Sequence, residues 1–374
     1  MAFQCKHCGG QLIFIPGSLH LKCVHCSFEE KIEVTADNVP LHDISEKETH
    51  KTSFNILKCP SCGAEFNRSN IAIDKCPYCT TIIINKNVID KSGIGFDGII
   101  PFKISKSDAI ESIKQWRKKL YLTPGRFKKY IYQLDFLKGV YVPYFLVHTK
   151  THINYKGKCG QKSLTSKKTS WTSENGELTT RIENLALVAT TSIPKQIKDR
   201  TMPDFGEIVA EPWNNRWNFN ELVPFSELFC LGFSTEVPQM NAQKVIHHNE
   251  SKIKYELEQK VVQKIEKSGC DEGFVSSLSY NHLELNYQLA LMPVWISAVK
   301  FNNRLYQILV NGQTGEVIGE RPVSKFKVAL MWLLVIILIF YIGFIIALQN
   351  YWLWGLHIVF IIIAIYIKKR KKNN

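Results

Sequence analysis

The sequence has no Gly-x-x-x-x-Gly-Lys-Ser/Thr phosphate loop, no Gly-x-Ser-x-Gly elbow and no His-Glu-x-x-His pair. Those absences leave Walker-type nucleotide hydrolysis, serine acyl transfer and zincin-type hydrolysis without their residues. Met1-Ala2-Phe3-Gln4-Cys5 has no charged segment followed by an apolar run, so the N-terminus is not expected to be exported. Acidic residues are scarce: 33 Asp and Glu stand against 47 Lys and Arg, a formal net charge of +14. Such a balance suits a polyanion, whether an anionic membrane surface or nucleic acid. From His148 to Ser173 there are no acids and six lysines: Lys150, Lys156, Lys158, Lys162, Lys167 and Lys168. This stretch reads as a solvated loop or as a patch for phosphates of lipid or nucleic acid. From Val328 to Ile367 there is no Asp, Glu, Lys or Arg at all.

That uncharged run would be about 60 Å long as one helix, twice the roughly 30 Å hydrocarbon core. It is expected to cross a bilayer twice, as Val328–Leu348 and Tyr351–Ile367, turning near Gln349-Asn350. Trp352 and Trp354 fit an interfacial aromatic belt. Lys325 and Lys327 precede the spans, and a basic tail from Lys368 to Lys372 follows them. Positive flanks stay inside, so both termini are expected in the cytoplasm. His357 within the second span reads as a packing residue or as a functional intramembrane histidine.

Of the 11 cysteines, eight form four Cys-x-x-Cys knuckles. The spacing pairs them locally: Cys5, Cys8, Cys23 and Cys26 on one ion, Cys59, Cys62, Cys76 and Cys79 on another. Zinc takes four thiolates tetrahedrally, and a closed four-sulfur site is structural rather than catalytic. Tight knuckle pairs of this kind are metal motifs rather than a disulfide framework, and they need a reducing compartment. A redox role, with oxidation ejecting the metal, is the alternative. His7 and His25 lie inside knuckles and read as exposed residues or as neighbours supporting the sulfurs, not as ligands. Cys159, Cys230 and Cys270 stand alone and far apart. His247-His248-Asn249-Glu250 falls on a charged helix face and reads as solvated.

Between the knuckles the chain alternates short strands and turns, giving zinc ribbons at residues 1–34 and 56–90 joined by a polar linker, 35–55. Residues 95–322 form a cytoplasmic α+β domain, in which two similar halves are possible. Ser105-x-x-Asp108 is a capping box ahead of Ile110, Ile113 and Trp116 at helical spacing. A second helix is expected over Phe127–Leu137 and a long one over Gln239–Lys267 with a stripe of Ile246, Ile253, Leu257, Val261 and Ile265. Val140–Val147, Leu289–Val299 and Arg304–Val310 read as strands. Asn175-Gly176 and Asn311-Gly312-Gln313-Thr314-Gly315 read as turns. The fold class is thus α+β: two N-terminal zinc ribbons, a central α+β domain and a C-terminal two-helix transmembrane hairpin.

The motifs Ile100-Pro101-Phe102-Lys103, Gly139-Val140-Tyr141-Val142-Pro143-Tyr144, Met292-Pro293-Val294-Trp295 and Val310-Asn311-Gly312-Gln313-Thr314-Gly315-Glu316-Val317 precede the apolar spans. In this layout the chain resembles bacterial zinc-ribbon membrane proteins of the YdjG type. The resemblance implies TFIIB-type ribbons and a transmembrane hairpin. It implies partners of the SPFH-domain or phage-shock protein A type, in addition to membrane lipids. Proteins of this type are often labelled primosomal or helicase-like; the missing phosphate loop argues against helicase activity. The doubled ribbon departs from the single one common in that group. The leading expectation is a non-enzymatic membrane-anchored adaptor with two structural zinc ions, its ribbons docking protein partners. The alternative is a membrane-tethered nucleic-acid binder linked to replication or transcription. The ribbons offer that alternative only scattered bases, Lys6, Lys22 and Lys31 in the first and Lys58, Arg68, Lys75 and Lys86 in the second.

Overall fold

The computed structural model describes residues 3–34, 38–45, 51–67, 75–83, 88–131, 137–163, 169–191 and 217–347. Residues 71–74 between the second ribbon's knuckles, the second span, the basic tail, His357 and parts of the linker lie outside them. The chain divides into two compact units, one of residues 1–119 and 130–320, the other of 120–129 and 321–374.

The first unit is α+β. Strands β1 (Leu12–Phe14), β2 (His20–Cys23) and β3 (Glu29–Lys31) form a small antiparallel sheet. The larger sheet is mixed and holds twelve strands among the described residues. Its spine is three unusually long strands: β9 (Lys138–Lys162), β10 (Thr169–Val188) and β13 (Glu272–Phe301). Strand β9 lies between the other two, antiparallel to both. The lysine-rich stretch read as a loop or patch is therefore, as far as Lys162, the far half of the central strand. Its odd residues Ile153 and Tyr155 are buried while its even residues Asn154, Lys156 and Lys158 are exposed, the period of two of a half-covered sheet.

The near half of the spine is covered on both faces. Strands β5 (Lys51–Lys58), β6 (Glu65–Asn67) and β7 (Val88–Ile94) join it through β12 (Ser234–Glu236), which runs parallel to β9. Two-residue strands β4 (His42–Asp43), β8 (Gly98–Ile99) and β11 (Val223–Pro224) complete that region. The segment expected as a linker thus contributes β4 and most of β5. Strand β13 turns through Asn302-Asn303, both left-handed at φ 49° and 59°, into β14 (Arg304–Asn311), a two-residue hairpin. The Asn311–Gly315 turn then leads into β15 (Val317–Gly319), with the Asn311 N–H donating to the Glu316 carbonyl at 2.8 Å.

Helix α1 (Lys106–Lys118) opens on the expected capping box: Ser105 accepts from the Asp108 N–H and the Asp108 carboxylate from the Ser105 N–H. The expected helix over Phe127–Leu137 is α2, Gly125–Tyr130, with residues 132–136 outside the described set. The long helix is broken into α3 (Ala242–His248) and α4 (Glu250–Lys267). Asn249 makes the break: its side-chain amide donates to the Val245 carbonyl at 2.7 Å, and its backbone leaves helical geometry. Ile253, Leu257, Val261 and Ile265 of α4 are all buried on the far half of the spine.

The second unit contains α5 (Lys325–Ala347). Its first turn is held by residues 120–129: Ser324 N–H donates to the Leu122 carbonyl at 2.8 Å, and Lys327 Nζ donates to the carbonyls of Tyr121 and Thr123 at 3.2 and 2.8 Å. The span Lys325–Phe344 has mean hydropathy 2.5, and none of its apolar window is buried. Among the described residues it is the one helix long and apolar enough to cross a membrane; the expected hairpin partner lies outside them.

Candidate metal centres

Four turns of one design place the sulfurs. In each knuckle the residue after the second cysteine turns left-handed and its N–H donates to the carbonyl of the first. These residues are Gly9, Ser27, Gly63 and Thr80, at φ 71°, 58°, 75° and 61°. Glycine adopts this geometry freely, whereas a β-branched threonine does so only at a cost. In the first ribbon the N–H groups of His7 and His25 point at the sulfurs of Cys5 and Cys23, each at 3.4 Å. The first cysteine of each knuckle is buried; of the second ones, Cys8, Cys26 and Cys62 are exposed and Cys79 is half-buried.

The knuckles meet in the expected pairs. Cys5, Cys8, Cys23 and Cys26 bring their sulfurs within 4.8 Å of one another, and so do Cys59, Cys62, Cys76 and Cys79. Cross-knuckle sulfur separations are 3.6 and 3.4 Å in the first set and 3.5 and 3.6 Å in the second. A tetrahedron with Zn–S near 2.3 Å has edges of about 3.8 Å, so each set could hold such an ion after a small expansion. The backbone N–H groups of Cys26 and His25 lower the Cys23 thiol to about 6. The Cys76 thiol, hydrogen-bonded to Cys62, lowers that group to about 5. Thiolate is the form a metal binds, and in each set the lowering of one sulfur accompanies the raising of a neighbour, Cys26 in the first and Cys76 in the second. Among the described residues no other group of His, Cys, Asp or Glu comes together this way, and the run from His247 to Glu250 does not.

No family model matches the sequence, and no solved structure matches it. Among curated proteins the chain is similar to the uncharacterized protein YdjG of Bacillus subtilis (strain 168), 23% identical over 239 residues. The match takes in 62% of this chain and 65% of that protein, just under two thirds of its length. YdjG is a distant homologue, and its name carries no activity.

Neither ribbon hangs free. Phe14 of the first is buried against Phe229 and Phe233, with ring centroids 5.3 and 6.4 Å away, and its N–H donates to the Leu231 carbonyl. The second is fused more deeply. Tyr78, between its last two cysteines, is fully buried and donates its hydroxyl to the carboxylate of Glu236 at 2.6 Å. Thr190 donates to the other oxygen of that carboxylate at 2.7 Å. Burial, then the Glu236 charge, pushes the Tyr78 hydroxyl well above its ordinary range, so it stays a donor. Gln307 donates to the Tyr78 carbonyl at 2.8 Å. Cys59, Phe66, Cys76 and Tyr78 share one apolar core with Val142, Tyr144 and Met292 of the spine. Nothing in knuckle spacing signals this union; the aromatic at Tyr78 was its only trace.

The remaining cysteines correct the expectation that all three stand alone. Cys159 and Cys270 form a disulfide across 111 residues, tying the far end of β9 to the approach to β13. Cys230 is free and buried, and burial raises its thiol to about 12.

Proposed function

We propose that this chain is a zinc-stabilised scaffold anchored in a bacterial membrane, with its α+β body on the cytoplasmic side. The observation that carries the reading is α5. Its apolar side chains, among them Trp332 and Phe340 at 57% and 75% exposure, are open to solvent along the described helix. An apolar surface of that extent belongs against lipid or another apolar partner. With Tyr351–Ile367 as a return span and the basic tail beyond it, both termini lie in the cytoplasm.

The metal sets support a binding role without turnover. Four protein sulfurs leave an ion no open position for substrate. The resemblance to the YdjG type supplies the partner class, SPFH-domain or phage-shock protein A-like proteins, which the scaffold would recruit or anchor. The faces turned outward on the ribbons, around Cys8, Cys26 and Cys62, are where such proteins would dock.

The test is carbonate extraction of membranes containing the full chain and a chain lacking residues 325–374. The full chain stays in the pellet and the truncated one becomes soluble. A full chain released by carbonate defeats the anchor. Crosslinking in native membranes then reads the partner: SPFH or phage-shock proteins support the scaffold, whereas polymerases in their place displace it.

A further inference from the structure

The far half of the spine leaves one face open. Helix α4 covers the odd residues of β9, from Ile153 to Cys159. The even residues face away from it, and each shares that side with its direct partners on β10 and β13. Lys158 is flanked by Ser173 and Phe274, Lys156 by Asn175 and Ser277, and Asn154 by Glu177 and Ser279. At 3.3 Å per residue, β9 from Lys150 to Lys162 gives this face a length of about 40 Å.

Its charges are unevenly matched. Glu284 pairs with Lys150 at 3.1 Å, Glu272 with Lys162 at 2.7 Å, and Glu177 approaches His152 at 3.7 Å. Asp271 accepts from the Lys162 backbone N–H. Each of these four acids is thereby engaged. Lys156, Lys158 and Arg181 have no carboxylate within ion-pair distance among the described residues. Lys156 and Lys158 sit about 6.6 Å apart along the strand, comparable to the phosphate repeat of an extended nucleic-acid strand.

Two aromatic rings lie beside these bases. Phe274 is 53% exposed and Trp171 46% exposed. Trp171 pairs with Gly160, and its ring fills the space where a Cβ of Gly160 would stand, 2.9–3.0 Å from that point. Glycine there leaves room for the indole, which stays nearly half exposed. An exposed ring packed against a sheet offers a stacking platform for a base.

We propose that this open face binds single-stranded nucleic acid with little sequence preference. Lys156, Lys158 and Arg181 meet phosphates, and Trp171 and Phe274 receive bases. Flat sheets with exposed aromatics and unpaired bases recognise single strands in this way. The activity resides in the sheet and is independent of the membrane-scaffold reading; the ribbons do not contribute.

The experiment is fluorescence anisotropy of labelled oligo(dT) with the full chain in non-ionic detergent, at low and at physiological salt. Three variants are compared with the parent: Lys156→Glu with Lys158→Glu, Trp171→Ala, and Lys6→Glu with Lys22→Glu in the first ribbon. Unchanged metal content and melting confirm that each is folded. Binding is expected, weakening as salt rises. The sheet charge reversal weakens it at least tenfold and flattens the salt dependence by about two phosphate contacts. Trp171→Ala weakens it roughly 5- to 150-fold, the worth of one stacked base, with the salt slope unchanged. The ribbon variant leaves it unaltered. No binding at low salt, equal affinity in all variants, or a loss confined to the ribbon variant overturns the proposal. So does a charge reversal that abolishes binding to phosphatidylserine vesicles while oligonucleotide binding persists.

Discussion

Tyr78 and Glu236 join a metal knuckle to the core, and their exchange is worth more than an average hydrogen bond. Tyr78→Phe keeps the ring and removes one donor from a buried carboxylate. The expected loss is about 1–3 kcal/mol of stability, measured by denaturant titration, with metal content intact. Thr80 acts in the opposite direction. It holds a left-handed turn at φ 61° against its β-branch, so Thr80→Gly is expected to raise stability by about 1 kcal/mol. A fall in stability there would show that the threonine side chain contributes more than its backbone costs. His148 and His282 carry a pH dependence. Burial holds both imidazoles below their ordinary value. The unfolded chain therefore takes up protons near pH 6.5 that the folded chain refuses. Stability is full above that pH and declines as pH falls through it. A His148→Gln, His282→Asn double variant is expected to lose less stability than the parent between about pH 7 and pH 5.

Elements were legible where local pattern and final structure agree. The knuckle spacing, the capping box before α1 and the stripe on α4 all state their structure in a few adjacent residues. Asn175-Gly176 is the counter-example. It is a strong turn signal, yet it runs straight through β10, because Gly176 makes room for Tyr155, whose hydroxyl would lie 3.0 Å from an added Cβ. The reach of β9 beyond Val147 was hidden because its buried Ile153 and Tyr155 alternate with lysines and asparagine. The break at Asn249 needed a side-chain bond that periodicity does not register. The second ribbon shows the largest gap between the two readings. Read alone it is a small module that unfolds by itself when its metal is lost. Cys59 and Cys76 lie instead in the main core with Val142 and Met292, and Cys79 packs against it. Cys59→Ser is accordingly expected to lower the melting temperature of the whole α+β body. An intact body beside a locally unfolded ribbon would contradict that packing.

At the scale of the molecule, a long antiparallel spine carries two four-cysteine sets near one end and an open polar face at the other, and a separate unit carries the apolar helix α5. The apolar helix and the four-cysteine sets were visible in composition and spacing, since both depend on residue type within short windows. The packing of the second set into the body was not, since it arises from contacts between residues as distant as Tyr78 and Glu236. The central claim is that ions held by these sets would then be part of the fold rather than of attached modules. The most direct measurement is stepwise chelation of the detergent-purified full chain, with released zinc and far-UV circular dichroism followed together. The account predicts two zinc ions per chain, with sheet signal lost as the second set empties. Fewer than two ions, or complete release with the sheet signal unchanged, would contradict it.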